Sequence, residues 1–385
     1  MAKEILLATT AKAHLKDLAE EIVGLLVHAQ PSQSGTPPTS WTKNSQDIDV
    51  ALTVLLAASA SINDGVTRFN LVFKANPKEA ASESMTRELG GFCQKLISSL
   101  SLLSSVGASD SMVGFFSANV RAVLHSLKDL VEALLDPSKH RQLNSLTGMV
   151  WKACKDMQQA PNTNKLACRR EMMQWSVAIK DTIDEFQEAL EASKAGNCSA
   201  DGSDVRQETG GLDEQMVNMH LSGEGLEEDD LDFDDLKEYS QLELQWVNGT
   251  IQVLRLFRRC LKGANDALNT VDSTGVVALS GSNESDAAKL QERRKSELAW
   301  AQSLQDCSRR ANECAAELGV LMYPPINGKE LSGRSESLRR ELVELCNILS
   351  GREEKAQGNK DATRQSPLAA AVEDKFSSLQ NMINV

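Results

Sequence analysis

Apolar residues recur along this chain at steps of three and four, and that rhythm predicts helices almost from the start. Leu7, Ala11, Leu15, Leu18, Ile22 and Leu25 form a first amphipathic stripe. A Pro/Ser/Gly loop over residues 30–40 ends it, and Ile48, Leu52, Leu55, Ile62, Val66 and Phe69 mark a second helix. Asn76 reads as an N-cap with Pro77 at the first helical position, opening a third helix through Met85, Leu89, Leu96 and Leu103. A fourth carries Met112, Phe116, Val120, Leu127 and Leu134 and stops at Asp136-Pro137. Leu143, Leu146, Val150, Trp151 and Cys154 make a shorter fifth helix that ends near Pro161. Asn162 or Thr163 then caps a long sixth through Met172, Trp175, Ile179, Ile183, Phe186 and Leu190.

From residue 196 to about 230 the pattern gives way to Gly, Ser, Asp and Glu, a composition with too little apolar surface to offset the entropy of ordering. Helical rhythm resumes near Phe233 and runs through Leu242, Trp246, Ile251, Leu254, Phe257 and Leu261. Trp300, Leu304, Cys307, Ala311, Cys314, Leu318 and Leu321 then alternate steps of four and three, a heptad stripe. Upstream the same stripe meets Arg293 and Glu297, and downstream Pro324-Pro325 stops it, so it belongs to a bundle rather than to an extended coiled coil. Two more helices follow, over about 338–349 and 368–382. The expectation is an all-α protein of two antiparallel helical bundles, residues 1–195 and 233–385, joined by an acidic linker at 196–232.

Composition agrees with helices: 385 residues contain 4% aromatics and two tyrosines, too few for a typical β-sandwich or barrel. Charge changes the picture more. The net charge of −13 is concentrated in residues 196–238, whose fourteen acidic and two basic residues carry −12. The rest of the chain is nearly neutral, which argues against broad binding to nucleic acid or anionic membrane. The eight cysteines occur singly, without Cys-x-x-Cys or Cys/His clusters, and read as reduced buried thiols. No signal-like segment opens the chain and no run approaches 18 uninterrupted apolar residues, so cytoplasm and nucleus are expected.

Signatures of catalytic or metal chemistry are sparse in the sequence. Residues 224–238 hold nine carboxylates, but an EF-hand begun at Asp229 would put Asp234 where the turn glycine belongs and Ser240 where the bidentate Glu belongs. No phosphate loop, nucleophile elbow or paired-histidine spacing is present, and His125 reads as a surface or boundary residue. Neither cofactor nor metal nor enzymatic activity is expected. Two patterns point instead to binding. Leu231, Phe233 and Leu236 alternate with carboxylates, among them Asp234 and Asp235, as in acidic segments that dock on partner grooves; a plain tether leading into the next helix is the other reading. Arg255, Arg258, Arg259 and Lys262 fall at i, i+3, i+4 and i+7 on one helix face, either an ordinary solvated face or an anion dock, with the acidic run upstream as its nearest candidate ligand.

The stretch "VWKACKDMQQAPNTNK", residues 150–165, resembles the cyclin-D-binding protein family, also called GCIP, at Val150, Trp151, Ala153, Cys154, Met157, Pro161, Asn164 and Lys165. The acidic-apolar run at 184–190, "LMYPPI" with Tyr323, Pro324 and Pro325, and the acidic "DLDFDD" ahead of "CLK" at 260–262 add to the likeness. The resemblance implies helical bundles akin to those of vinculin and α-catenin, and no catalysis. It further implies binding to D-type cyclin and to helix-loop-helix proteins, restraining cell-cycle progression or transcription. It supplies no binding residues; Trp151 and Tyr323 read as core and turn residues. The alternative is a structural, adhesion-type scaffold that tethers cytoskeletal partners.

Overall fold

A computed structural model describes residues 7–29, 45–75, 77–198, 239–271, 284–357 and 367–383. Among these residues the fold is all-α, with no strand. The helices are α1 (Thr9–His28), α2 (Ser45–Lys74), α3 (Glu79–Ser105), α4 (Asp110–Leu135), α5 (Leu143–Gln158), α6 (Asn164–Cys198), α7 (Gln241–Asn269), α8 (Glu284–Val320), α9 (Gly328–Gln357) and α10 (Pro367–Ile383), with a 3-10 turn at Pro137–Gln142.

Backbone contacts divide the chain into two compact units, Met1–Gln174 with Ala264–Asp306, and Trp175–Gly263 with Cys307–Val385. These units interleave along the sequence, and α6, α7 and α8 each contribute one part to either unit. The composition-based halves are contiguous because hydropathy registers a linker but not which helix a stripe packs on.

In the first unit, α1 packs on α3 and α4, α2 on α3 and α5, and α4 on α5, so five helices close a ring around one apolar core. The stripes read from sequence supply that core: Leu15, Ile22, Leu55, Ile62, Phe69, Leu96, Phe116, Val120, Leu127 and Val150 are all buried. α2 contains a window of mean hydropathy 1.4 that would pass for a membrane span by length and composition. Leu55, Ile62, Val66 and Phe69 on its inner face serve the ring, with 44% of that window buried, while Val54 and Leu71 on the opposite face are exposed.

Capping sets several boundaries. Thr163 Oγ1 accepts the Leu166 amide at 3.2 Å and starts α6, one of the two caps expected. α3 begins at Glu79 with Lys78 at the cap position, so Pro77 precedes the cap rather than opening the helix; Asn76 lies outside the described residues. α7 begins at Gln241, later than Phe233, because Ser240 and Glu243 form a reciprocal capping box. The Glu243 carboxylate accepts the Ser240 amide at 2.7 Å, and Ser240 Oγ accepts the Glu243 amide at 3.3 Å.

In the second unit, α10 packs on α9, and Phe257, Leu318, Leu342, Leu345 and Phe376 are buried. Trp246 is fixed there by its indole N–H, which donates to Met382 O at 3.0 Å. Its ring lies so close to the start of α9 that a Cβ on Gly328 would meet it at 2.9 Å. At Gly249 the corresponding contact is Leu379 Cδ1 at 2.8 Å, the movable end of a side chain. Glu243 also accepts the Ile326 amide at 2.7 Å, tying the α8–α9 turn to the first turn of α7. Burial alone would raise its pKa, but hydrogen bonds from the Ile326 and Ser240 amides hold it below the usual carboxylate value. A depressed carboxylate contributes stability above its unfolded pKa and loses it as pH falls through the folded one. This tie is therefore fully formed at neutral pH and is lost only as pH falls below the ordinary carboxylate range, through the lowered folded pKa.

Two outcomes follow for stability. Gly328→Ala gains little in helix propensity, because Gly328 is the first residue of α9 and the Ala advantage of about 0.5–1 kcal/mol belongs to helix interiors. It loses about 1–3 kcal/mol by displacing a hydrogen-bonded indole, so chemical denaturation should show a net loss. Gly249→Ala should lose less, because Leu379 can rotate away; equal losses would show that Trp246 is not the rigid member.

Candidate partner-binding surfaces

The stretch at residues 150–165 mostly serves packing. Val150, Cys154 and Met157 are buried in the ring and Ala153 is nearly so. Asn164 clamps the turn between α3 and α4, its Oδ1 accepting the Ser109 amide at 2.6 Å and its Nδ2 donating to Gly107 O at 3.1 Å. Gly107 sits at φ 98°, the left-handed region open to glycine, and Ser109 in turn caps α4 through the Met112 amide at 3.2 Å. The Lys165 ammonium donates to Asn269 O and Val271 O, both at 2.8 Å, and so satisfies carbonyls at the C-terminal end of α7.

Trp151 departs from this pattern. The sequence reading placed it in the core, whereas the structure leaves it 43% exposed. Successive helical residues are about 100° apart, and because Val150 and Cys154 take the inward positions, Trp151 is turned to the rim facing α2. There it lines an open groove of about 800 Å³ with Lys155 and Gln158 of α5 and Asn63, Asp64, Thr67 and Arg68 of α2.

The floor of this groove is held in register by paired polar groups. Lys74 donates to Asn144 Oδ1 and Asn70 Nδ2 to Thr147 Oγ1, both at 2.7 Å, at one end. Ser59 Oγ donates to Cys154 O at 3.5 Å at the other, which makes α2 and α5 antiparallel. Arg68 is steadied by Glu88 at 2.9 Å. The groove thus offers a large aromatic face between fixed charges of both signs, which suits a polypeptide ligand with an apolar anchor. It holds no nucleophile-base pair.

The basic stripe lies where its spacing predicts. Arg255, Arg258, Arg259 and Lys262 are all exposed on α7. Arg258 Nε donates to Ser176 Oγ at 3.2 Å, and among the described residues none of the four is paired with a carboxylate. The acidic partner residues singled out earlier, Leu231, Phe233, Asp234, Asp235 and Leu236, lie outside the described residues.

Near "LMYPPI", Tyr323 is exposed at the α8–α9 turn, as expected, but it is not idle. Its hydroxyl donates to Glu185 Oε1 at 2.6 Å and its ring meets Phe186 edge-on, with centroids 5.7 Å apart. That hydrogen bond, then burial and the negative charge of Glu185, push its pKa up to about 12. Burial, then Glu185 and Glu243, raise Tyr239 as well.

One cluster resembles a metal site. Cys307, Glu341 and Glu344 bring ligand atoms within 4.8 Å of one another. Arg310 already bridges both carboxylates, at 2.8 and 3.1 Å, and burial pushes the Cys307 thiol up to about 12. The cluster is an ion-pair bridge between α8 and α9 rather than a set of free ligands. Cys93, Cys154, Cys168, Cys260, Cys307 and Cys346 are buried and outside any disulfide, and Cys314 is half-buried.

These features define a helical-bundle protein whose distinctive sites are surfaces. Residues 54–192 match the family model described as Grap2 and cyclin-D-interacting, N-terminal, the family that the 150–165 stretch resembles. Comparison with curated proteins gives no match.

A spectrophotometric titration tests the Tyr323 site, since the chain has only two tyrosines. A raised phenol pKa stabilises the fold below the ordinary value near 10 and ceases to do so as pH approaches 12. Phenolate absorbance should appear later than in free tyrosine, in two steps, and Tyr323→Phe should remove the later one. Titration of both phenols at the free value would show that Glu185 does not hold Tyr323.

Proposed function

We propose that this chain is a non-enzymatic regulatory protein that binds a D-type cyclin through the α2/α5 groove. The observation that carries the reading is coincidence: every residue lining the groove falls inside residues 54–192, the span that matches a cyclin-D-interacting domain. Trp151 supplies the anchor. An exposed indole flanked by Lys155 and Arg68 is the kind of residue that dominates binding energy at protein interfaces. Helix-loop-helix proteins are the second partner class, bound by sequestration rather than by contact with DNA. Restraint of cell-cycle progression or transcription, in cytoplasm and nucleus, follows from holding such partners.

Truncating Trp151 separates binding from folding. Trp151→Ala should weaken the affinity for a purified D-type cyclin by at least about tenfold, equal to about 1.4 kcal/mol. Thermal stability should change little, because the ring core is left intact. Undiminished affinity in the variant would place the contact elsewhere, and no affinity in the wild-type chain would remove the reading altogether.

A further inference from the structure

α7 presents an outward face whose four cations are paired with no carboxylate among the described residues, with Asp266 one turn beyond Lys262 as the nearest acidic residue on the helix. Between Leu244 and Asn265 the helix contains no acidic residue, while Arg255, Arg258, Arg259 and Lys262 are exposed over a rise of about 10 Å. The neighbouring α6 does not neutralise them. Lys180 engages Asp184 at 2.7 Å, and the group that α6 offers Arg258 is the neutral Ser176 hydroxyl. Four unpaired cations on two turns repel one another and attract polyanions.

The same chain carries a matching polyanion a short distance upstream. Residues 227–230 read Glu-Glu-Asp-Asp, and Asp232, Asp234 and Asp235 follow. α7 starts at Gln241, so Arg255 lies about 21 Å and Lys262 about 32 Å along its axis. An extended chain spans about 3.3 Å per residue, so nine residues back from Tyr239 give Asp230 a reach of about 30 Å, and Glu227 about 40 Å. The four-carboxylate run is thus the part of the sequence whose tether length matches the distance to the stripe. The tether also keeps these carboxylates at an effective concentration on the order of millimolar, which an external acidic peptide must overcome.

We propose that the cationic face of α7 is a docking surface for the chain's own acidic run, residues 227–230. An acidic partner peptide reaches Arg255, Arg258, Arg259 and Lys262 by displacing that segment. The contact is ionic and solvent-exposed, so it weakens as salt rises from low to about 0.5 M.

Carbodiimide coupling of the full-length chain tests this, because the reagent joins an ammonium to a carboxylate only where the two are already in contact. Peptide mapping should find Lys262 amide-linked to a carboxylate of residues 227–230 in the monomer, with a yield independent of protein concentration and reduced at least about fivefold in high salt. A labelled peptide of residues 223–238 provides the second readout. It should bind a variant with Glu227, Glu228, Asp229 and Asp230 changed to Gln or Asn at least about tenfold tighter than it binds the unaltered chain. Adding Arg255→Gln, Arg258→Gln, Arg259→Gln and Lys262→Gln should abolish that gain. Lys262 links confined to dimers, links from Lys262 to other carboxylates only, or equal peptide affinity for the unaltered and linker-neutralised chains would each overturn the proposal.

Discussion

Closure of the five-helix ring by α5 is the constraint on which the first unit depends. α5 has 16 residues and must meet α4 on one side and α2 on the other. Val150, Cys154 and Met157 fill the space between them, and burying an apolar side chain of that size is worth about 1.5–3 kcal/mol. Rotating α5 to bury Trp151 would expose these side chains and drag Lys155 toward the core, where an unpaired ammonium is strongly disfavoured. The helix therefore settles with its indole outside. The groove beside α2 is a consequence of that balance, and it inherits its rigidity from the core behind it.

The second unit uses polar ties where the first uses closure. Ser240 and Glu243 fix the start of α7, Glu243 reaches on to the Ile326 amide, and Trp246 covers Gly328 while holding Met382. Arg339 bridges Glu336 and Glu373 at 2.7 Å each, and Arg310 joins α8 to α9. Several carboxylates of this unit are thus engaged, whereas among the described residues none of the four cations on α7 is paired with one. Charge in this protein is segregated along the sequence, with −12 in one short segment and an unneutralised stripe on the helix that follows it.

Helix existence was legible because each helix buries a single stripe and so repeats at 3.6 residues; the heptad from Trp300 to Leu321 turned its Leu304, Cys307, Ala311 and Leu318 inward as its spacing required. Helix starts were legible where one side chain makes the cap, as at Thr163, and misread where the box sat seven residues beyond the first apolar position, as at Ser240. The exposed stripe on α7 followed from spacing alone. Trp151 did not, because the choice of which of two adjacent apolar residues faces inward is made by the neighbours α2 and α4. The Glu185–Tyr323 and Glu243–Ile326 ties join residues 138 and 83 positions apart, and nothing local in either segment encodes them.

Hydrogen exchange on the complex with a D-type cyclin tests most directly the claim that a core-enforced groove is the partner surface. The account predicts slowed exchange confined to the stretches of α2 and α5 that flank Asn63–Arg68 and Trp151–Gln158, with the buried faces of α3 and α4 unchanged. Protection elsewhere with α2 and α5 unaffected would contradict it.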